Sequence, residues 1–316
     1  IPQCSQLSSE YTLKSLYLKT GLRINPYFVL PKILWLRENQ REIYNSAFKF
    51  LGVQDYVIHC LTGEYKTDCS QACRTMLMNI ETFRWDQELL NIAGISENML
   101  PELLPPGSIA GFLIGEVAEK AQLPSGLPVI MSGGDQQNAA VALGVIKPGL
   151  AEANTGTGSF VISAVGKPVF DQDSRVLCQA SAIPGQWIME AGIFNSGSIY
   201  RWFKEQFYPE LKNEKHPYEI MDREAGEVQT GSNGVIMIPH FEGSAAPYWN
   251  PIAKGLFFNL SLGLKRAALT RSILEGIAIE IHDNISLIEN LTGAIETVSV
   301  AGGMVRSDLF CSIQAS

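Results

Sequence analysis

Val129-Ile130-Met131-Ser132-Gly133-Gly134-Asp135-Gln136-Gln137 is the stretch on which the fold turns. Its three apolar residues predict a short buried strand. Two glycines then permit a tight turn, and Asp135 opens a helix predicted to run to about Leu143. A strand passing into a helix through a glycine turn is the unit of an α/β layered architecture. Two readings of Asp135 stand side by side. Its carboxylate can cap the helix by accepting first-turn N–H groups, the simpler local reading. It can equally be a general base, kept ionised by the helix end and rigidly perched beyond a strand.

Two further glycine loops lie C-terminal to it. Asn154-Thr155-Gly156-Thr157-Gly158-Ser159 joins predicted strands at 151–154 and 159–164. It reads as an ordinary hairpin turn or as a nest of backbone N–H groups suited to phosphate. No Lys follows the glycines and a strand follows the loop, so it is neither a Walker A loop nor a dinucleotide fingerprint. Ala301-Gly302-Gly303-Met304 sits between a predicted strand at 297–300 and a helix. It is a plain βα turn, or a place where a ligand approaches the backbone near a helix N-terminus. Other elements predicted here are strands at 187–191 and 235–238 and a helix over 197–207. Leu269, Ile273, Ile277, Ile281 and Ile285 recur every four residues and predict a long helix with a buried stripe.

The first 125 residues read as mainly helical. Asn25-Pro26-Tyr27-Phe28 is a turn, Pro31 begins a helix, and a second helix spans 41–51 with Gly52 as its stop. A third covers 86–93 and stops at Gly94. Leu123-Pro124-Ser125-Gly126 is the candidate boundary, dividing the chain into domains 1–126 and 127–316.

Composition excludes several classes. At 316 residues, 46% hydrophobic and 18% charged, the chain is not intrinsically disordered. Lys and Arg number 24 against 32 Asp and Glu, a net charge of −8, which argues against a nucleic-acid surface. No apolar run approaches the ~18–20 residues that span a bilayer. The start, Ile1-Pro2-Gln3-Cys4, shows no signal peptide and lacks Met, so the chain can begin inside a larger gene product. The six cysteines read as reduced thiols. His59, Cys60, Cys69 and Cys73 match no common zinc spacing, and no metal site is expected. His216, His240 and His282 have no triad pattern; Glu275 and Glu280 take solvated or capping roles by default.

The order of these motifs resembles one family, the FGGY carbohydrate kinases of the sugar kinase and actin superfamily. Tyr27-Phe28 followed by Lys32-Ile33-Leu34-Trp35-Leu36-Arg37-Glu38-Asn39 is similar to its first signature. Leu61-Thr62-Gly63-Glu64 and Thr67-Asp68-Cys69-Ser70 resemble the stretch that follows. Gly134-Asp135-Gln136-Gln137 matches the catalytic motif, and residues 154–160 resemble the phosphate loop. Ala246-Pro247-Tyr248-Trp249-Asn250-Pro251 resembles the loop before the second signature, and Gly302-Gly303-Met304-Val305-Arg306-Ser307 the adenosine-side motif.

The resemblance implies a ribonuclease H-like, actin-like ATPase fold of two domains. Residues 1–126 would be part of the sugar-binding domain and 127–316 most of the nucleotide-binding domain. It implies ATP-dependent phosphorylation of a sugar, such as the ketose xylulose, or of a polyol such as glycerol, with Mg²⁺ as cofactor. Asp135 would be the catalytic base. Tyr27, Gln136 and Phe160 would join Asp135 in binding substrate; Gly156, Thr157, Gly197, Arg201, Gly302, Gly303 and Ser307 would bind ATP. It implies a cytoplasmic enzyme with no nucleic-acid or membrane partner, and leaves a homodimer open. Departures are Val29 in the first signature and Asn259 and Ala268 in the second. The family's N-terminal Asp-x-Gly-Thr loop is absent, as are its last C-terminal elements. A non-catalytic nucleotide- or sugar-binding remnant is therefore the alternative from another class.

Overall fold

Asp86 and Gly94 bracket a helix, Gln87–Ala93, for the reasons their side chains suggest. The Asp86 carboxylate accepts the N–H groups of Glu88 and Leu89 at 3.0 and 3.2 Å, and Gly94 closes the last turn at φ +75°. The computed structural model describes residues 2–316. The chain divides into two units, Ile1–Lys147 with Ala164–Met189, and Pro148–Ser163 with Glu190–Ser316.

The first unit is rich in helices, among them Leu13–Thr20, Val29–Asn39, Val53–Thr62 and Asp135–Ala142. Two short strand pairs accompany them. Lys66–Asp68 runs parallel to Glu102–Leu104, and Ile109–Phe112 runs antiparallel to Pro128–Ile130. The segment 164–189 is tied in by the Tyr17 hydroxyl, which donates to the Val176 carbonyl at 2.8 Å, and by the Trp187 indole N–H, which donates to the Ile80 carbonyl at 2.7 Å. Both bonds join residues more than 100 positions apart.

Two local expectations are corrected here. The helix predicted over 41–51 ends early, as Arg41–Ser46, and Gly52 does not stop it. Gly52 instead begins Val53–Thr62, because the Asp55 carboxylate reaches back to accept its N–H at 2.7 Å. The strand at 128–130 is not buried: Ile130 is half exposed, and only Met131 beyond it is inside. Among the described residues the strand pairs with Ile109–Phe112 alone, in a sheet of two strands.

In the second unit, Leu150–Thr155 is flanked by Thr297–Ala301, parallel, and Ser159–Val165, antiparallel. Thr155 pairs with Ser159, so the glycine loop is the turn of a true hairpin. Around this sheet lie the helices Gly197–Phe207, Pro217–Gly226 and Arg266–Thr292, the hairpin of Ile236–Ile238 with Leu256–Phe258, and the closing helix Asp308–Gln314. In Arg266–Thr292, Ile273, Ile277 and Ile281 are buried as predicted, while Leu269 and Ile285 are only half buried. A four-residue repeat advances about 40° per step on a 3.6-residue helix, so the stripe leaves the packed face at both ends and burial passes to Ile288.

Two carboxylates of this helix are more than solvated. Glu275 accepts the Arg271 guanidinium at 2.7 Å, the Ser232 hydroxyl at 2.7 Å and the Gly231 N–H at 3.1 Å. Glu280 is mostly buried and pairs with His240. Among the described residues no helix is long and apolar enough to cross a membrane.

Candidate active site

Three glycine-bearing segments of the second unit meet backbone to backbone. The Gly197 N–H donates to the Gly156 carbonyl at 3.0 Å, and the Ser196 and Ser198 N–H groups both donate to the Thr157 carbonyl, at 2.9 and 3.1 Å. The Ser159 hydroxyl donates to that of Ser196 at 2.7 Å. A Cβ on Gly197 would lie 2.4 Å from the Gly156 oxygen, and one on Gly302, which sits at φ +92°, would lie 2.4 Å from the Thr155 oxygen. Side chains at either position would force the loops apart. The hairpin turn, the start of Gly197–Phe207 and the Gly302-Gly303 turn thus form one rigid floor.

That floor opens into a cavity of about 520 Å³, lined by Gly156, Thr157, Gly197, Arg201, Gly303 and Ser307 together with Tyr200, Tyr218, Asp222 and the segment 215–219. Six of the seven residues expected to hold ATP therefore line a single cavity, and the seventh, Gly302, braces its floor. Ser307 has a local duty as well: its hydroxyl caps Asp308–Gln314 by accepting the Phe310 N–H at 3.0 Å. The volume suits a nucleotide, since small-molecule sites run from about 300 to 1,000 Å³.

One wall went unread in the sequence. The Tyr200 hydroxyl donates to Asp222 at 2.5 Å, its ring stacks on Tyr218 with centroids 5.5 Å apart, and the Lys204 ammonium lies 5.0 Å from the Tyr218 centroid. Burial, with Asp222 beside it, pushes the Tyr200 phenol well above its ordinary value, so it stays a neutral donor. Helical spacing three residues beyond Gly197 was the available signal for Tyr200; nothing in the sequence pointed to Tyr218. Replacing Gly197 by Ala should weaken binding of ATP or ADP at least about tenfold by titration calorimetry, because the added methyl separates the floor loops. Unchanged affinity would mean that this floor does not hold the nucleotide.

The other candidates lie in the first unit, apart from Phe160, which is half buried in Ser159–Val165 of the second. Asp135 is the first residue of its helix, and Gly134, not Asp135, is the N-cap. Asp135 is exposed, and its Oδ1 accepts the Gln136 N–H at 2.8 Å. The turn before it is braced from below, the Ser70 hydroxyl accepting the Gly134 N–H at 2.8 Å.

Tyr27 is 66% exposed, with its ring 5.2 Å from the Arg74 guanidinium. Arg74 donates to the Gln179 side-chain oxygen at 2.7 Å, and Gln137 reaches the same oxygen at 3.4 Å. Arg74 and Gln179 thereby connect Tyr27 to the helix that carries Asp135 and Gln136. Neither was picked out in the sequence, because a link from residue 74 to residue 179 leaves no local pattern.

Among the described residues no group of three or more His, Cys, Asp or Glu side chains could hold a metal ion. A hard cation that keeps its water and binds phosphate oxygens needs no such cage.

The two halves of the chain each match a family model. Residues 1–142 match the N-terminal domain, and 151–316 the C-terminal domain, of the FGGY family of carbohydrate kinases. The chain is 29% identical to the gluconokinase of Bacillus subtilis over 311 residues, which are 96% of this chain and 60% of that protein. It is 35% identical to the glycerol kinase of Thermococcus gammatolerans over 303 residues, 94% of this chain and 59% of that one. It superposes on the solved xylulose kinase of Lactobacillus acidophilus with a TM-score of 0.91 at 25% identity, covering 99% of this chain and 62% of that chain. The chain thus spans about three fifths of the length of these relatives, and it has the α/β actin-like ATPase fold.

Proposed function

We propose that this chain, which belongs to the FGGY family of carbohydrate kinases, is part of an enzyme that transfers the γ-phosphoryl group of ATP to a hydroxyl of a sugar or polyol. The observation that carries this reading is the convergence of the 156–158, 197 and 302–303 loops on one nucleotide-sized cavity. The division of labour follows the chemistry. Backbone N–H groups and the Thr157 hydroxyl hold phosphates, and Arg201 adds positive charge. Tyr200 and Tyr218 offer aromatic surface to a base.

Asp135 takes the proton of the attacking hydroxyl at Oδ2, since Oδ1 is engaged by the Gln136 N–H. The hydroxyl oxygen forms a bond to the γ-phosphorus as the bond to the β-bridging oxygen breaks, and ADP leaves. Such transfer depends on position and charge far more than on covalent help from the protein. When bound with ATP, Mg²⁺ neutralises charge on the phosphates. Tyr27, Gln136 and Phe160 are assigned to the sugar. The six cysteines are thiols, which suits a reducing, cytoplasmic compartment.

For the acceptor we favour a sugar such as xylulose, with glycerol as the second reading on the strength of Gly134-Asp135-Gln136-Gln137. The test is an ATP-dependent phosphorylation screen of the full-length gene product against D-xylulose, L-ribulose, D-ribulose, gluconate and glycerol. One compound should be turned over in preference to the rest. ATP binding without turnover of any would favour a nucleotide-binding remnant of the fold.

A further inference from the structure

The Ser70 hydroxyl that braces the Asp135 turn belongs to a buried pair of side chains. Asp68 is fully buried at the end of Lys66–Asp68, and Ser70 follows it at 1% exposure. Asp68 Oδ2 accepts the Gln54 amide at 2.7 Å. Its Oδ1 accepts the Ser70 N–H at 2.9 Å and the Ser70 hydroxyl at 2.5 Å. A serine hydroxyl has one proton. With that proton committed to Asp68, a lone pair is left for the Gly134 N–H, which it accepts at 2.8 Å. The direction of this wire is therefore fixed by the carboxylate at its base.

We propose that Ser70, oriented by Asp68, is a positioning residue for the Asp135 base. The inference rests on Asp135 being that base. Gly134 is the N-cap of Asp135–Ala142, and its carbonyl accepts the first helical bond, from the Asn138 N–H at 2.9 Å. A shift of Gly134 therefore moves Asp135 directly. The neighbouring Gly133, at φ +101°, gives the turn no stiffness of its own. Removing the Ser70 oxygen leaves a buried N–H without an acceptor, and the turn relaxes to find one. A displacement near 1 Å is enough to cost about a hundredfold in rate.

The experiment is a double-mutant cycle in the full-length gene product. Ser70→Ala should lower kcat about ten- to a hundredfold with the ATP KM little changed, and amide exchange over 132–136 should accelerate. Ser70→Thr, which restores the hydroxyl, should recover most of the rate. In an Asp135→Asn background Ser70→Ala should cost nothing further, because there is no base left to misplace. Where Ser70→Ala does not fold, Ser70→Cys, with a weaker acceptor, gives the same pattern at smaller amplitude.

A loss that multiplies unchanged in the Asp135→Asn background would overturn the proposal, as would full activity in Ser70→Ala. Full activity in Asp135→Asn alone would overturn the base assignment instead, so the two failures are distinguishable.

Discussion

Asp135→Asn lowers the turnover of the full-length enzyme by about a thousandfold while leaving its affinity for ATP within about twofold. The substitution is nearly isosteric, and an Asn side-chain oxygen can still accept the Gln136 N–H that Oδ1 accepts at 2.8 Å. What it cannot do is take a proton at the second position. General base catalysis contributes about 10²–10⁴ in rate, and this residue is the one carboxylate assigned to that role. The cavity assigned to ATP draws no lining residue from 132–137, so binding is spared. Steady-state kinetics with calorimetric ADP binding read both quantities. Turnover within a few-fold of wild type would remove Asp135 from the chemistry; lost ADP binding would show that the variant damages the fold.

The second large effect is on stability. Glu152 lies in Leu150–Thr155, is fully buried, and neither of its carboxylate oxygens has a hydrogen-bond partner. Burial, and after it the charge of Glu190, push its carboxyl up to about 7 from an ordinary 4.5. The folded state therefore holds a proton that the unfolded chain gives up near pH 4.5. The contribution of this group to stability is greatest below that pH, falls as pH rises toward 7, and is level above it. The full loss is about 3 kcal/mol.

Glu152→Gln keeps the shape and cannot ionise. It should raise stability at pH 8 by about 2–3 kcal/mol and change it little at pH 4. Urea melts at the two pH values check this. An equal effect of the substitution at both pH values would show that Glu152 does not titrate in this range.

The residues that could be read in the sequence are those whose reasons are local. Asp86 and Gly94 bound their helix through groups within three residues of it. The 155–158 turn follows from its own glycines and the paired strands beside them. Gly52 misled because a glycine can end one helix or begin the next, and Asp55, three residues on, decided the matter. The exposure of Ile130 depends on what packs on its strand, which pairs with Ile109–Phe112 in a sheet of two, and an apolar triplet does not encode that.

The support of the candidate site was the least visible part. Ser70 meets Gly134 across 64 positions, and Arg74 meets Gln179 across 105. No periodicity or spacing encodes such a bond. The glycines around the cavity were visible as turns, yet their close approach is between backbones, Gly197 to Gly156 and Gly302 to Thr155. Only the family resemblance tied those turns to a common ligand in advance.

The most direct test of phosphoryl transfer is product analysis with the full-length enzyme, ATP, Mg²⁺ and the preferred sugar or polyol from the screen. The account predicts one phosphorylated acceptor for each ADP formed, with little inorganic phosphate, and formation of both products collapsing together in Asp135→Asn. ADP and inorganic phosphate released at the same rate with or without the acceptor would contradict it, because the chain would then belong to an ATPase and not to a kinase.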